Sequence, residues 1–419
     1  MFLDSKRLSS ETAITPLSNW AFKIFCASTL FIVIFSVEAI YIWPPFIEKF
    51  SILLACILPT SMAIWSRTRL WIKEKSIPPE LTWVILVFLV GLLSSLFSES
   101  PWISLKSLVL FIVSGPFIFF TTKTLFESIK NQEVFIWLIT LAMFILSLMG
   151  FYELSGTGLY LFSRNPLPAG ALLILFSAGT MILLNRKISP ALNIVLILGL
   201  VSSIVLIILT AKKSHYLSTI VILIMVVVFI NERFLKYLLG FIIVASCFLY
   251  ISVFIVSTNK GFINFNSSVT LRAENYFFGY HLFKKNPIWG FGFKPDFAPY
   301  FDDYNVRLAK YLQKKDYQKY IKTHNTFENI IITYFIERGS LFSLTYFGGL
   351  VYIVTISFKR LRSPPNKDMG GIFLASVITG FAVLSLTFDT LRFPNLNWIF
   401  HSLLGLLANL PNKSFSRVY

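Results

Sequence analysis

The sequence predicts an all-α, polytopic membrane protein with about twelve transmembrane helices and one long helical external loop. Three observations predict it. Of the 419 residues, 56% are hydrophobic and only 14% charged, against roughly a quarter charged in soluble domains. The apolar residues fall in runs of roughly 17–25, the length that spans a bilayer. The charges are lopsided, 37 Lys+Arg against 20 Asp+Glu for a net +17, an excess that membrane topology accounts for without a nucleic-acid partner. With 44 Phe, 17 Tyr and 9 Trp the chain is neither disordered nor collagen-like.

In order, the apolar runs are 20–42, 50–66, 81–98, 104–122, 134–152, 166–184, 190–210, 215–231, 236–256, 340–358, 370–387 and 394–410. The runs 50–66 and 215–231 are short. No small-residue cleavage site follows the first, so it reads as a retained span rather than a signal peptide. With the N-terminus in the cytoplasm, alternation puts Arg67, Arg69, Lys73, Lys75, Lys123, Lys130, Arg186, Lys187, Lys359, Arg360 and Arg362 inside. The short outside loops hold few basic residues: Lys49, Lys106, Arg164, Lys212, Lys213 and Arg392. This asymmetry places both termini in the cytoplasm. The expected division is an N-terminal transmembrane bundle (1–256), an external loop (257–338) and C-terminal transmembrane helices (339–419). Cys26, Cys56 and Cys247 lie in apolar runs and lack metal or disulfide spacing.

The outside cations are exceptions to the charge rule and so carry information. Arg164 precedes the run 166–184, Lys212 and Lys213 sit in the turn Thr210–Ser214, and Arg392 lies in Asp389–Pro394. Singly, each reads as a snorkelling residue or an ion-pair partner, Arg392 with Asp389 for example. Together they read as a membrane face able to attract a phosphate or diphosphate.

The external loop has three parts. Leu271–Asn286 has helical composition and an aromatic face, and breaks at Pro287-Ile-Trp-Gly-Phe-Gly-Phe293. Gly290 and Gly292 suit a sharp turn, but without a preceding strand or third glycine they are no dinucleotide fingerprint. From Tyr304 to Ile321, aromatic and aliphatic residues at helical spacing alternate with Lys310, Lys314, Lys315 and Lys319. This pattern fits either an interfacial helix on anionic headgroups or a solvated surface helix. Last, Thr323-His-Asn325 leads through Glu337-Arg338-Gly339 into the run 340–358.

With these pieces in order, the sequence resembles the O-antigen ligase and polymerase family of bacterial envelope biogenesis. An Arg-led helix ends in an Asn-Pro-x-x-Gly-x-Gly turn, here Arg272 through Asn286-Pro287 to Gly290 and Gly292. A His-Asn pair then opens a helix with an acidic-x-Gly end, here His324-Asn325 and Glu337-Arg338-Gly339. Upstream, Thr210-Ala211-Lys212-Lys213 stands where the family has a Thr-x-Ser-Arg-like turn. The resemblance covers roughly 200–358. One departure matters: lysine at 213 replaces the family's arginine, keeping the charge but losing the bidentate fork.

The resemblance implies an enzyme of the bacterial inner membrane, its loop periplasmic, that takes a glycan from an undecaprenyl-diphosphate-linked donor. The acceptor is lipid A–core for a ligase, or another lipid-linked glycan for a polymerase. Cations would stabilise the leaving diphosphate: Arg272 first, then Lys213 with Lys212, and Arg164. His324 would be the base for the acceptor hydroxyl, suited by an imidazole pKa of about 6.5. Asn325 would orient the sugar or cap the following helix. His215, near Lys213, is a second base candidate. His281 reads as a packed residue, and His401 as a helix–helix hydrogen bonder.

No carboxylate pair in an outside loop has metal-site spacing, Asp302-Asp303 being adjacent, so no metal and no other cofactor is expected. The leading reading is an O-antigen ligase, favoured over a polymerase by the basic loop, since lipid A–core is itself anionic. A transporter or flippase is the reading from another class. It is disfavoured because the cations lie at span ends rather than mid-bilayer.

Overall fold

The computed structural model describes residues 19–30, 57, 59–62, 65, 79–154, 166–186, 188–209, 212–230, 263–301, 303–306, 313–324, 327–362, 369–387 and 389–409. Every regular element among them is helical. Residues 19–30 are helical. The remaining elements are α1 (Pro79–Leu96), α2 (Pro101–Ser114), α3 (Pro116–Leu125), α4 (Ile129–Leu154), α5 (Pro166–Leu184), α6 (Pro190–Leu209) and α7 (Lys213–Ile230). After these come α8 (Ile263–Lys285), α9 (Lys314–His324), α10 (Ile330–Glu337), α11 (Gly339–Arg362), α12 (Met369–Ser385) and α13 (Pro394–Asn409).

Among the described residues, six helical stretches are long and apolar enough to cross a membrane: Pro79–Leu96, Pro101–Leu125 (α2 with α3), Ile129–Glu153, Leu167–Leu184, Pro190–Leu209 and Gly339–Lys359. Ser214–Val228 and Met369–Ser385 are shorter apolar helices. The expected run 236–256, most of 50–66 and residues 31–42 of the first run lie outside the described residues. Proline opens α1, α2, α3, α5, α6 and α13, at the position where its missing N–H costs nothing and its fixed φ suits a helix.

The expected span 104–122 is two helices, α2 and α3, broken at Gly115 before Pro116. Proline cannot continue the hydrogen-bond ladder, and α13 compensates: Asn397 Nδ2 donates to the Phe111 carbonyl at 3.1 Å and to Ser114 Oγ at 3.0 Å. α13 is the centre of the bundle, buried from Asn395 to Asn409. Several of its polar side chains bond to neighbouring helices, as polar groups in hydrocarbon do. Trp398 Nε1 donates to Thr29 Oγ1 at 3.1 Å. His401 is hydrogen-bonded to the Tyr346 hydroxyl of α11 at 3.2 Å and to the Asn397 carbonyl at 2.8 Å. α6, by contrast, leaves Ile194, Leu198, Val201 and Ile208 exposed, the face a lipid-contacting helix presents.

Helix ends fall into two groups, as alternating loops require. At one end Lys123 pairs with Glu80, Arg186 with Glu133 at 3.3 Å, and Asn409 Nδ2 donates to the Lys123 carbonyl at 2.7 Å. At the other, Phe97 stacks on Trp289, Tyr300 donates to Glu99, and the Phe293 N–H donates to Ser104 Oγ at 2.7 Å. The segment from α8 to α10 therefore docks on this second end.

That segment has its own apolar core, with Phe278, Leu282, Phe297, Phe301, Tyr317 and Phe327 packed together. α9 turns Tyr317 and Ile321 into this core and leaves Lys314, Lys315 and Lys319 exposed. Of the two expectations for this helix, the solvated surface helix is the one the packing supports. Its apolar face is spent on α8 and the loop rather than on lipid. The Asn286–Phe293 turn clamps the segment to the bundle: Ser340 N–H donates to the Pro287 carbonyl at 2.9 Å and Leu341 N–H to the Ile288 carbonyl at 3.4 Å.

Candidate functional site

α8 presents Arg272 at the surface of the docked segment. A carboxylate, two phenols and a carboxamide form a hydrogen-bonded network beside it. Arg272 Nε donates to Glu328 Oε2 at 3.3 Å. The other carboxylate oxygen accepts from the Tyr320 hydroxyl at 2.7 Å. Tyr317 donates to Asn275 Oδ1 at 2.9 Å, one turn along α8 from Arg272. Burial, and then the bond to Glu328, push the Tyr320 phenol above its ordinary pKa, so it stays a donor at neutral pH.

This contact joins α8 to the stretch that follows α9. α9 ends at His324, one turn beyond Tyr320. Glu328 then adopts a left-handed backbone, φ 53°, which a non-glycine residue takes up only when its surroundings hold it there. Asn329 starts α10: its Oδ1 accepts from the Ile331 and Ile332 N–H groups at 3.0 and 3.1 Å. Its Nδ2 donates to the Leu386 carbonyl of the α12 end at 2.9 Å. The cap of this helix is therefore Asn329, a correction to the capping role expected of Asn325.

The remaining expected residues divide. Arg164 and Asn325 lie outside the described residues, and of Lys213 and His324 the backbone is described. Lys212 stands just before α7, where its carbonyl accepts from the His215 N–H at 3.0 Å. His215 is fully buried against Gly170 of α5, with Nε2 hydrogen-bonded to the Leu167 carbonyl at 3.1 Å. Its place is that of a residue locking α7 onto α5. Its hydrogen bonds tie it to α5 and α7, those of Arg272 to the 327–329 connector. Among the described residues, no group of three or more His, Cys, Asp or Glu is arranged to hold a metal ion.

A second polar cluster escaped the sequence reading. Arg338, between α10 and α11, is 6% exposed. Its guanidinium carbon lies 3.5 Å from the Tyr334 ring centroid, 4.3 Å from that of Phe111 and 4.4 Å from that of Phe293. Arg338 Nε and Nη1, and Asp389 Oδ1, have no hydrogen-bond partner among the described residues. Burial raises the Glu337 carboxyl to about 7, against the opposing pull of Arg338 and then Arg392. Burial raises Asp389 too, again opposed by Arg338 and then Arg392. The acidic-x-Gly end visible in the sequence is thus the rim of a buried charge cluster. An aromatic pattern around it was the signal, but the rings come from α2, the 287–293 turn, α10 and α11.

Residues 195–334 match the family model described as O-antigen ligase, about a third of the chain. The match runs from α6 through α10 and takes in Lys212, Lys213, Arg272, the Asn286–Gly292 turn and His324. No curated protein matches the chain. The resemblance to the O-antigen ligase and polymerase family therefore holds for the stretch that carries these motifs.

Proposed function

We propose, from the match of residues 195–334 to the O-antigen ligase family model, that the chain is an O-antigen ligase of the bacterial inner membrane. It transfers a polysaccharide from undecaprenyl diphosphate to a hydroxyl of a lipid A–core acceptor at the periplasmic face, without a metal. Both termini are cytoplasmic and the loop 257–338 is periplasmic. The observation that supports this reading is the Arg272–Glu328 contact. It ties the cation best suited to a diphosphate to the stretch that follows His324.

The acceptor oxygen attacks the anomeric carbon of the glycan, and the bond from that carbon to the phosphate oxygen breaks. The hydroxyl proton passes to the His324 imidazole. The electron pair leaves on undecaprenyl diphosphate, whose growing charge Arg272 stabilises, with Lys213, Lys212 and Arg164 as further cations. Asn325 orients the sugar. His215 keeps its packing role. Energy comes from the activated lipid donor, so no cofactor enters.

A polymerase would run the same chemistry onto another lipid-linked glycan. The exposed Lys314, Lys315 and Lys319 of α9 favour the more anionic acceptor, lipid A–core. A flippase would need ionisable groups along a mid-bilayer path, whereas Arg338, Glu337 and Asp389 lie at helix ends. Deleting the gene and examining lipopolysaccharide together with carrier lipid tests the reading. Full-length polymer on the carrier and bare core on lipopolysaccharide is the ligase outcome. Single repeats on core indicate the polymerase, and unaltered polymer attachment contradicts both.

A further inference from the structure

We propose that Glu328 is an internal stand-in for the donor phosphate: a carboxylate that occupies Arg272 between turnovers and that the lipid diphosphate displaces. This rests on the reading of Arg272 as a diphosphate ligand. Both oxygens of the carboxylate are engaged, one by Arg272 Nε at 3.3 Å and one by the Tyr320 hydroxyl at 2.7 Å. An arginine and a hydroxyl converging on two anionic oxygens is also a fitting cradle for two oxygens of a phosphate.

The backbone adds a second, independent sign. Glu328 is held at φ 53°, a conformation that side chains of its kind adopt at a cost. Its neighbours are anchored on both sides, Phe327 in the apolar core of the segment and Asn329 as the cap of α10. The strained residue between them is thus the one presented to Arg272. Arg272 and Glu328 keep 46% and 30% of their side-chain surface exposed, so the pair opens by side-chain rotation while both anchors stay in place.

The stand-in has a use in the reaction. A diphosphate carries more charge and more acceptor oxygens than one carboxylate, so it wins Arg272 on arrival. After transfer the carrier diphosphate has gained the charge of the broken bond and is held harder than the donor was. A carboxylate waiting beside Arg272 competes with that product and speeds its departure.

Binding of undecaprenyl diphosphate to the full chain in lipid nanodiscs tests this. Glu328→Gln is expected to tighten binding about two- to fivefold, the range for freeing a partly exposed ion pair, and to add nothing in an Arg272→Ala background. Asp316→Asn, which removes an exposed charge of α9, controls for net charge and should leave affinity unchanged. Unchanged or weaker binding in Glu328→Gln, with Arg272→Ala still impaired, overturns the stand-in and leaves Arg272 as the phosphate ligand. Equal tightening in Asp316→Asn also overturns it. Binding as in the unaltered protein for Arg272→Ala overturns both.

Discussion

The guanidinium of Arg338 lies over the ring of Tyr334, 3.5 Å from its centroid, with both residues buried. Phe111, Phe293 and Phe342 complete the enclosure. This places a fixed positive charge inside the protein where α2, the 287–293 turn, α10 and α11 converge. It also faces two buried carboxyls, Glu337 and Asp389. The cluster lies where the segment from α8 to α10 meets the bundle.

Removing that charge should therefore be costly. Arg338→Ala leaves the two carboxyls without their nearest counter-charge and opens a cavity among four rings, a loss of roughly 3 kcal/mol or more. A thermal melt in detergent should fall by several degrees. An unchanged melt would show that the enclosure contributes little to holding the fold.

Glu337 makes the same cluster sensitive to pH. Its folded value is about 7 against an ordinary 4.5, so between these values the folded protein holds a proton that the unfolded chain has released. A raised carboxyl contributes stability that is fully present below about 4.5 and lost as pH rises toward 7. The melting temperature should decline over that window and flatten above it. Glu337→Gln should remove this part of the decline; an identical pH profile in the variant would contradict the assignment.

The clamp between the 287–293 turn and α11 depends on two glycines. Gly290 and Gly339 have φ of 68° and 78°, and a Cβ on either would meet backbone atoms of the other's strand of chain at 2.3 and 2.1 Å. Alanine at either should cost about 2 kcal/mol or more and lower the yield of folded protein. Gly348→Ala is the control, since nothing lies within 4 Å of a Cβ there. It should be neutral, or stabilise its helix by up to about 1 kcal/mol. Equal losses at all three positions would show that helix flexibility, rather than the clamp, is being read.

Phe293 is tied to the first turn of α2 by its N–H bond to Ser104 Oγ, 2.7 Å and buried. Ser104→Ala orphans that donor and should cost roughly 1–3 kcal/mol. Limited proteolysis of the 287–301 region should accelerate in the variant. Unaltered cleavage would mean that the 336–341 backbone contacts hold the turn alone.

The membrane helices were legible because apolar length and proline punctuation are local signals. The run 166–184 became α5 between the same limits, and 190–210 became α6 with Pro190 at its start. The break at Gly115 was hidden because Gly-Pro inside a long apolar run leaves the hydropathy unchanged. α9 was ambiguous for a related reason: Tyr317 and Ile321 make the same amphipathic stripe whether they face lipid or Phe278 and Phe301. Arg272 stood out as a candidate from its motif, but its ion-pair partner did not. Glu328 follows His324-Asn325 as an ordinary polar residue, and only the packing of α8 against the connector brings it to Arg272. Arg338 was the least legible, because the rings that bury it come from far apart in the chain.

The proposed role of Arg272 and His324 is to carry glycan transfer from a lipid diphosphate. It is tested most directly with the purified full chain in nanodiscs, supplied with undecaprenyl-diphosphate-linked polysaccharide and lipid A–core, by following polymer appearing on the core. Transfer by the unaltered protein is expected, with a loss of about a hundredfold or more in Arg272→Ala and in His324→Ala, as for groups acting on the leaving charge or the transferred proton, and with melting temperatures preserved. Near-normal transfer in either variant would contradict that residue's role, and in both it would contradict the site.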